Sequence, residues 1–423
     1  MFIRNIHFIP VSMLFLFLLS CRENREVTVE ELTDHISYLA SDTLKGRETG
    51  SAGDSLAAEY IRSELAQCGY VPLTGDGLQR FHFSATAGVD TIGEVIKESG
   101  ETRNVVMMLP GENDSLKNEY VIIGAHFDHL GMGGKGTSSR RPDSIGVHHG
   151  ADDNASGIAM MLEIAEKFAF TKGSHPRTII CAAFSGEEKG LLGSKYFADN
   201  PGIDLSKVNA MINLDMVGRL QESNILQVNG VGTSEKMKEI VTTLNDSTLL
   251  SLALSEAGYG PSDHSSFYMK NIPVLFFTTG AHPDYHTPND TYDRINYTGM
   301  EKVSALIFKV VHQLVSSAEK QVFREAGPKE GQGGPMRRNG VTLGIMPDFN
   351  GVEKNGLRAD IVTPGKPAAN GGMKNGDIIT SINGKVINNI YDYMSKMGEL
   401  KAGEVITVEI IRGGNTMTLL IQL

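Results

Sequence analysis

Between Arg103 and Lys320, short apolar runs alternate with amphipathic stretches, and no other feature limits the fold as tightly. The runs at 103–109, 120–126, 177–184, 208–215 and 273–278 read as buried strands, and 156–169, 233–245 and 298–317 carry helical spacing. Strands and helices in turn predict an α/β fold: a mostly parallel, mixed sheet with helices on both faces. Two further helices are expected before it, at Val29–Leu39 and Ser55–Gln67, separated by a polar Gly-rich loop at 41–54. Arg47 and Glu48 in that loop read as pins for the loop more readily than as substrate contacts.

The run Thr178 to Phe184 (TIICAAF) feeds into FSGEEKGLLGS at Phe184 to Ser194, followed by a short helix. Glu187 and Glu188 therefore sit where a strand gives way to a helix, the edge at which ligands and catalytic groups collect in such sheets. Adjacent carboxylates repel unless a cation or a shared proton relieves them. Four other stretches near strand ends offer metal-type ligands. His126 and Asp128, two apart in extended chain, share a side, so that one can bind a metal while the other orients it. GADDNASG at Gly150 to Gly157 opens a helix, Asp215 ends a strand, and His286 lies in YHTPND. Each taken alone has a bland reading: a capping Asp, a surface His, a solvated turn. Together, two His and three carboxylates suit zinc. Five ligands exceed one tetrahedral ion, so a pair of metals sharing a carboxylate fits better, with the second carboxylate of the Glu pair left to shuttle protons.

In this order, His-x-Asp, GADDNASG, FSGEEKGLLGS, NLDMVGR and YHTPNDT resemble the motifs of the co-catalytic di-zinc aminopeptidases, relatives of glutamate carboxypeptidase and glutaminyl cyclase. The resemblance covers residues 28–320. It implies two Zn2+ ions: His126 and Asp215 on one, Glu188 and His286 on the other, and Asp153 bridging. It makes Glu187 the general base of a metal-activated water, lets Asp128 hold the His126 ring, and offers Tyr285 to the oxyanion. Asp152 receives no role. GPSDHSSF at Gly260 to Phe267 would line the pocket, with His264 no ligand, and the insertion Gly131 to His149 would shape it. The implied activity is release of N-terminal residues from peptides. A cyclase, whose pocket leans on tryptophan, is disfavoured because this chain has none. A carboxypeptidase would need Arg140, Arg141 or Arg219 to grip a substrate carboxylate. A non-catalytic peptide-binding lipoprotein is disfavoured because every ligand and the base are present.

Residues 1–21 stand apart from the fold. Arg4 and His7 precede an apolar core from Phe8 to Leu19, which reads as a signal peptide. Leu18-Leu19-Ser20-Cys21 resembles the bacterial lipobox, which implies a lipid on Cys21 and an exported chain held to a bacterial membrane by that anchor only. Cys68 and Cys181 are expected to be free thiols. The net charge of −11 argues against nucleic acid as a partner.

Five glycines and two prolines between Gly327 and Gly340 predict a linker, after which residues 341–423 are long enough to fold alone. VTLGIMP, GGMKNGDII and INGK within them resemble a PDZ domain, a small β-rich unit. The resemblance makes Leu343, Gly344, Ile345 and Met346 the loop that captures a peptide C-terminus, or that receives an internal segment, and Tyr391 to Leu400 the helix walling the groove. Asn383-Gly384 is a tight-turn signal in its own right.

Overall fold

The computed structural model describes residues 26–89, 95–134, 137–171, 173–327, 329, 341–348 and 356–423. The signal-peptide expectation, Cys21 included, lies outside them, as does the linker apart from Gly327 and Lys329.

Among the described residues nine strands form one sheet: β1 (Val71–Pro72), β2 (Leu78–Val89), β3 (Val95–Leu109), β4 (Tyr120–His126), β5 (Thr178–Phe184), β6 (Val208–Leu214), β7 (Ile225–Asn229), β8 (Ser251–Ser255) and β9 (Val274–Thr278). Their order is β1-β3-β5-β4-β6-β9-β7-β8, with β2 paired to β3. β5, β4, β6 and β9 run parallel to one another at the centre, while β3 and β7 join them antiparallel, so the sheet is mixed. Every residue of β5 is buried, as expected of a strand covered on both faces.

The helices of this unit are α1 (Val29–Leu39), α2 (Ala52–Gln67), α3 (Gly157–Phe170), α4 (Leu192–Asp199), α5 (Met237–Leu244), α6 (His264–Tyr268) and α7 (Tyr297–Ser316). Side-chain caps explain three starts: Thr28 accepts from Glu31 N, Ser51 from Asp54 N and Asn296 from Gly299 N. The apolar stripe of α7, including Met300, Val303, Ile307, Val310 and Leu314, joins the main core with α1 and α3.

Two features depart from the expectation. The strand expected at 103–109 begins at Val95 and pairs with β2 along a long hairpin. Its signal was the alternation Phe81-His82-Phe83-Ser84-Ala85, whose apolar members are buried against Leu192 and Tyr196. The short strands β7 and β8 were not expected either. No helix among the described residues is long and apolar enough to cross a membrane.

The second unit holds β10 (Ile345–Pro347), β11 (Leu357–Val362), β12 (Ile378–Ile382), β13 (Lys385–Val386), β14 (Val405–Arg412) and β15 (Asn415–Gln422), with α8 (Pro367–Asn370) and α9 (Ile390–Glu399). Its sheet runs β10-β11-β12-β14-β15 and is antiparallel. Asn383 and Gly384, at φ 48 and 72, turn β12 into β13. Ile379, Ile382, Ile406, Val408, Ile410 and Ile421 form a core of its own.

Candidate metal centre

The parallel strands deliver the polar residues to one edge. His126 ends β4, Asp215 follows β6, and Glu187 and Glu188 follow β5 after a turn at Gly186, whose φ is 83. Phe127 N donates to Phe184 O at 2.9 Å and so fastens the ends of β4 and β5 together. The turn Ala151–Ser156 brings Asp153 in from the start of α3, and the loop after β9 brings His286.

All five expected ligands meet. His126 Nε2 stands 3.4 Å from Asp153 Oδ1 and 3.4 Å from Asp215 Oδ1. His286 Nε2 stands 3.1 Å from Asp153 Oδ2 and 3.2 Å from Glu188 Oε1. Asp153 thus turns one oxygen to each of two clusters. Ligands about 2.0–2.2 Å from a tetrahedral zinc stand roughly 3.3–3.5 Å from one another, so these spacings fit the ion. In both histidines Nδ1 faces a main-chain carbonyl, Asp128 O at 3.2 Å and Ser138 O at 3.1 Å, which leaves Nε2 free to coordinate.

His129 joins the second cluster, and the sequence reading missed it. It is buried, and its Nδ1 lies 2.9 Å from Glu188 Oε1 without hydrogen-bond geometry. Two buried polar atoms that approach without bonding are what a shared cation would explain. The available signal was its place three residues after His126.

A buried network fixes the Asp153 turn. Asp290 accepts from the N–H groups of Asp152 and Asp153, and Asp152 Oδ1 accepts from Gly218 N at 2.6 Å and Ser156 Oγ at 3.0 Å. Asn154 bridges the turn to the end of β6 by donating to Leu214 O and accepting from Met216 N. Asp152 therefore has a positioning role that the sequence left unassigned. Arg47 is wholly buried and donates to the carbonyls of Leu39, Phe127, His149 and Gly150, so it pins the loop as expected. Glu48 pairs with Lys189 at 3.2 Å.

The electrostatics favour cations. Burial alone would raise Glu188, but the facing His286 and His129 outweigh it and bring it down to about 2. Burial likewise opposes the charged form of Asp153, and His126 and His286 overcome it, so it lies well below the usual carboxylate range. Glu187 goes the other way. Burial pushes it well above that range, and Glu188, Asp263 and Asp215 add to the rise against the pull of His126. Its N–H donates to Asp128 Oδ1 at 3.0 Å.

A cavity of about 320 Å³ opens on the cluster, lined by His126, Asp153, Glu187, Asp215, Tyr285 and His286. Tyr285 stacks on His286 at 3.8 Å, and burial holds its phenol well above the ordinary value. Pro261 lines the cavity, and Ser262 Oγ donates to Asp215 Oδ2 at 2.7 Å. His264 stacks instead on Phe276 at 4.6 Å, and burial lowers it to about 3. From the insertion come Ser138 and Arg140. Arg140 donates to Pro283 O and Tyr285 O, Arg219 pairs with Asp284, and Arg141 is exposed.

In the second unit Leu343 is buried in the core, and Ile345 and Met346 belong to β10, so the expected loop narrows to Leu343 and Gly344. α9 occupies nearly the span expected for the groove helix.

Residues 104–311 match Peptidase family M28, and residues 343–423 match the PDZ domain. A probable leucine aminopeptidase of Trichophyton verrucosum is 26% identical over 229 residues, 52% of this chain and 60% of its own length. Aminopeptidase YwaD of Bacillus subtilis is 32% identical over 188 residues, 42% of this chain and 40% of its own. The chain thus spans 60% or less of these curated relatives. The zinc aminopeptidase BSAP from Bacillus subtilis shares the fold with a TM-score of 0.55 at 19% identity, over 71% of this chain and 99% of that one.

Proposed function

We propose that the protein is a two-zinc aminopeptidase, from the match of residues 104–311 to peptidase family M28 and of residues 343–423 to the PDZ domain. The observation that carries the proposal is Asp153, with one oxygen toward His126 and the other toward His286. His126, Asp153 and Asp215 would hold one zinc, and Asp153, Glu188 and His286 the other, with His129 beside the second. A cyclase working with one metal would leave half of this arrangement unused.

Zinc ions held there would polarise the scissile carbonyl and lower the pKa of the attacking water. Glu187 takes the proton of that water and passes it to the leaving amine. Asp128 keeps Glu187 in place through its N–H. Tyr285, whose phenol is held well above its ordinary value and so protonated at neutral pH, would donate to the developing oxyanion.

Amino-acid anilides and peptides blocked at either end, offered to protein lacking residues 1–21, test this reading. Zinc-dependent release from free N-termini is expected. Cleavage of N-blocked peptides alone would replace it with a carboxypeptidase. We also propose, on the sequence pattern of residues 1–21, that the chain is exported and lipid-anchored at Cys21. Absence of radiolabelled fatty acid from the Cys21 protein, expressed in a lipoprotein-processing bacterium, would overturn that.

A further inference from the structure

The PDZ unit does not stand clear of the catalytic cavity. Gly344, Ile345, Met346 and Pro347 line the cavity together with Glu187 and Asp215. Side chains alternate faces along a strand, so four consecutive residues meet one cavity only where it runs along the strand edge. Among the described residues β10 ends the sheet and pairs with β11 alone.

The hydrogen bonds say which way that edge points. Thr363 N donates to Gly344 O at 2.8 Å, while the N–H of Val362, opposite Ile345, goes to Asn375 Oδ1 at 2.8 Å. Antiparallel ladders alternate bonded and non-bonded pairs, so the N–H and C=O of Ile345 turn away from β11. Arg140 makes a link between the two units. Its N–H donates to His286 O at 2.9 Å, and its Nε reaches Thr363 Oγ1 of the PDZ unit at 3.4 Å.

We propose that the edge of β10 receives the part of the substrate that follows the scissile bond, as an added strand in the same cavity as the metal cluster. The substrate class is an extended peptide of several residues, gripped through its main chain and so with little demand on its sequence beyond the cleaved bond. This rests on the aminopeptidase reading above and deepens it: the PDZ domain becomes part of the substrate site rather than a separate docking module.

The test uses the mature full-length protein and a length series. A dipeptide and a hexapeptide share one N-terminal residue. A second hexapeptide is N-methylated at every amide beyond the scissile one, and an anilide of the same N-terminal residue serves as reference. The hexapeptide is expected to gain about tenfold in kcat/KM over the dipeptide, the net worth of one or two main-chain hydrogen bonds, and the methylated one to lose that gain. A reduced-amide hexapeptide bearing benzophenone beyond the scissile position is expected to cross-link within residues 341–363. Equal or slower hexapeptide turnover, a gain that survives methylation, or cross-links confined to residues 28–320 would each overturn the proposal while anilide hydrolysis stands. Failure on the anilide and on every peptide would overturn the aminopeptidase reading, and this proposal with it.

Discussion

The N–H of Glu187 donates to Asp128 Oδ1 at 3.0 Å, tying the loop after one central strand to the loop after its neighbour. The other oxygen of Asp128 accepts from Thr49 Oγ1 at 2.9 Å, and the His126 ring lies beside the same carboxylate, Nδ1 at 3.7 Å from Oδ1. One buried side chain therefore sets both the proposed base and a proposed ligand. Asp128→Ala is expected to lower metal affinity and kcat together, each by about 10–100-fold. Asp128→Asn, which keeps an acceptor oxygen, should lose less. Loss of only one of the two properties would show that Asp128 does not couple them.

Glu187→Gln separates proton transfer from metal binding. The side chain keeps its size and loses its basicity, so kcat should fall by about 10²–10⁴ with metal content unchanged. Full activity in the variant would move the base elsewhere.

His129 offers a sharper test of the second cluster, because it approaches Glu188 and Asp153 but not the His126–Asp215 side. His129→Ala should weaken the tighter or the looser of two metal-binding steps by about 10–100-fold and leave the other in place. Calorimetric titration of the metal-free protein would read this directly. Two unchanged steps would reduce His129 to packing.

Asp54 predicts a pH dependence of stability away from the metal ligands. Burial raises its carboxyl to about 7, although Ser185 Oγ and Thr102 Oγ1 donate to it at 2.5 and 2.7 Å and oppose the rise. A carboxyl raised in the folded state holds its proton more tightly there than in the unfolded chain. Its contribution is full below about pH 4 and is lost as pH rises through about 7. Asp54→Asn removes that loss. Relative to wild type, the variant should gain on the order of 3 kcal/mol in unfolding free energy between pH 5 and pH 8. A difference that stays flat across that range would mean Asp54 is ionised in the fold.

The site was largely legible because it is written in short local motifs. Chemistry placed at the carboxyl ends of parallel strands leaves two of the candidate ligands directly after apolar runs, His126 after Val121–Ala125 and Asp215 after Met211–Leu214. Residues acting through tertiary contacts were harder to read. Asp152 and Asp290 look like ordinary turn carboxylates until the fold brings them together. His129 shows no role until the fold brings Glu188, from the loop after β5, beside it. β2 is hard to read locally although Phe81, Phe83 and Ala85 alternate with polar neighbours, because five residues are a weak signal. The meeting of β10 with the cavity has no local signature, since it depends on the packing of residues far apart in the sequence.

If Asp153 serves two metal clusters, zinc per chain at saturation shows it, by mass spectrometry of the intact protein and by elemental analysis. Two equivalents are expected for the wild type and fewer than two, with both binding steps weakened, for Asp153→Ala. Saturation at a single equivalent in the wild type, unchanged by Asp153→Ala, would contradict it.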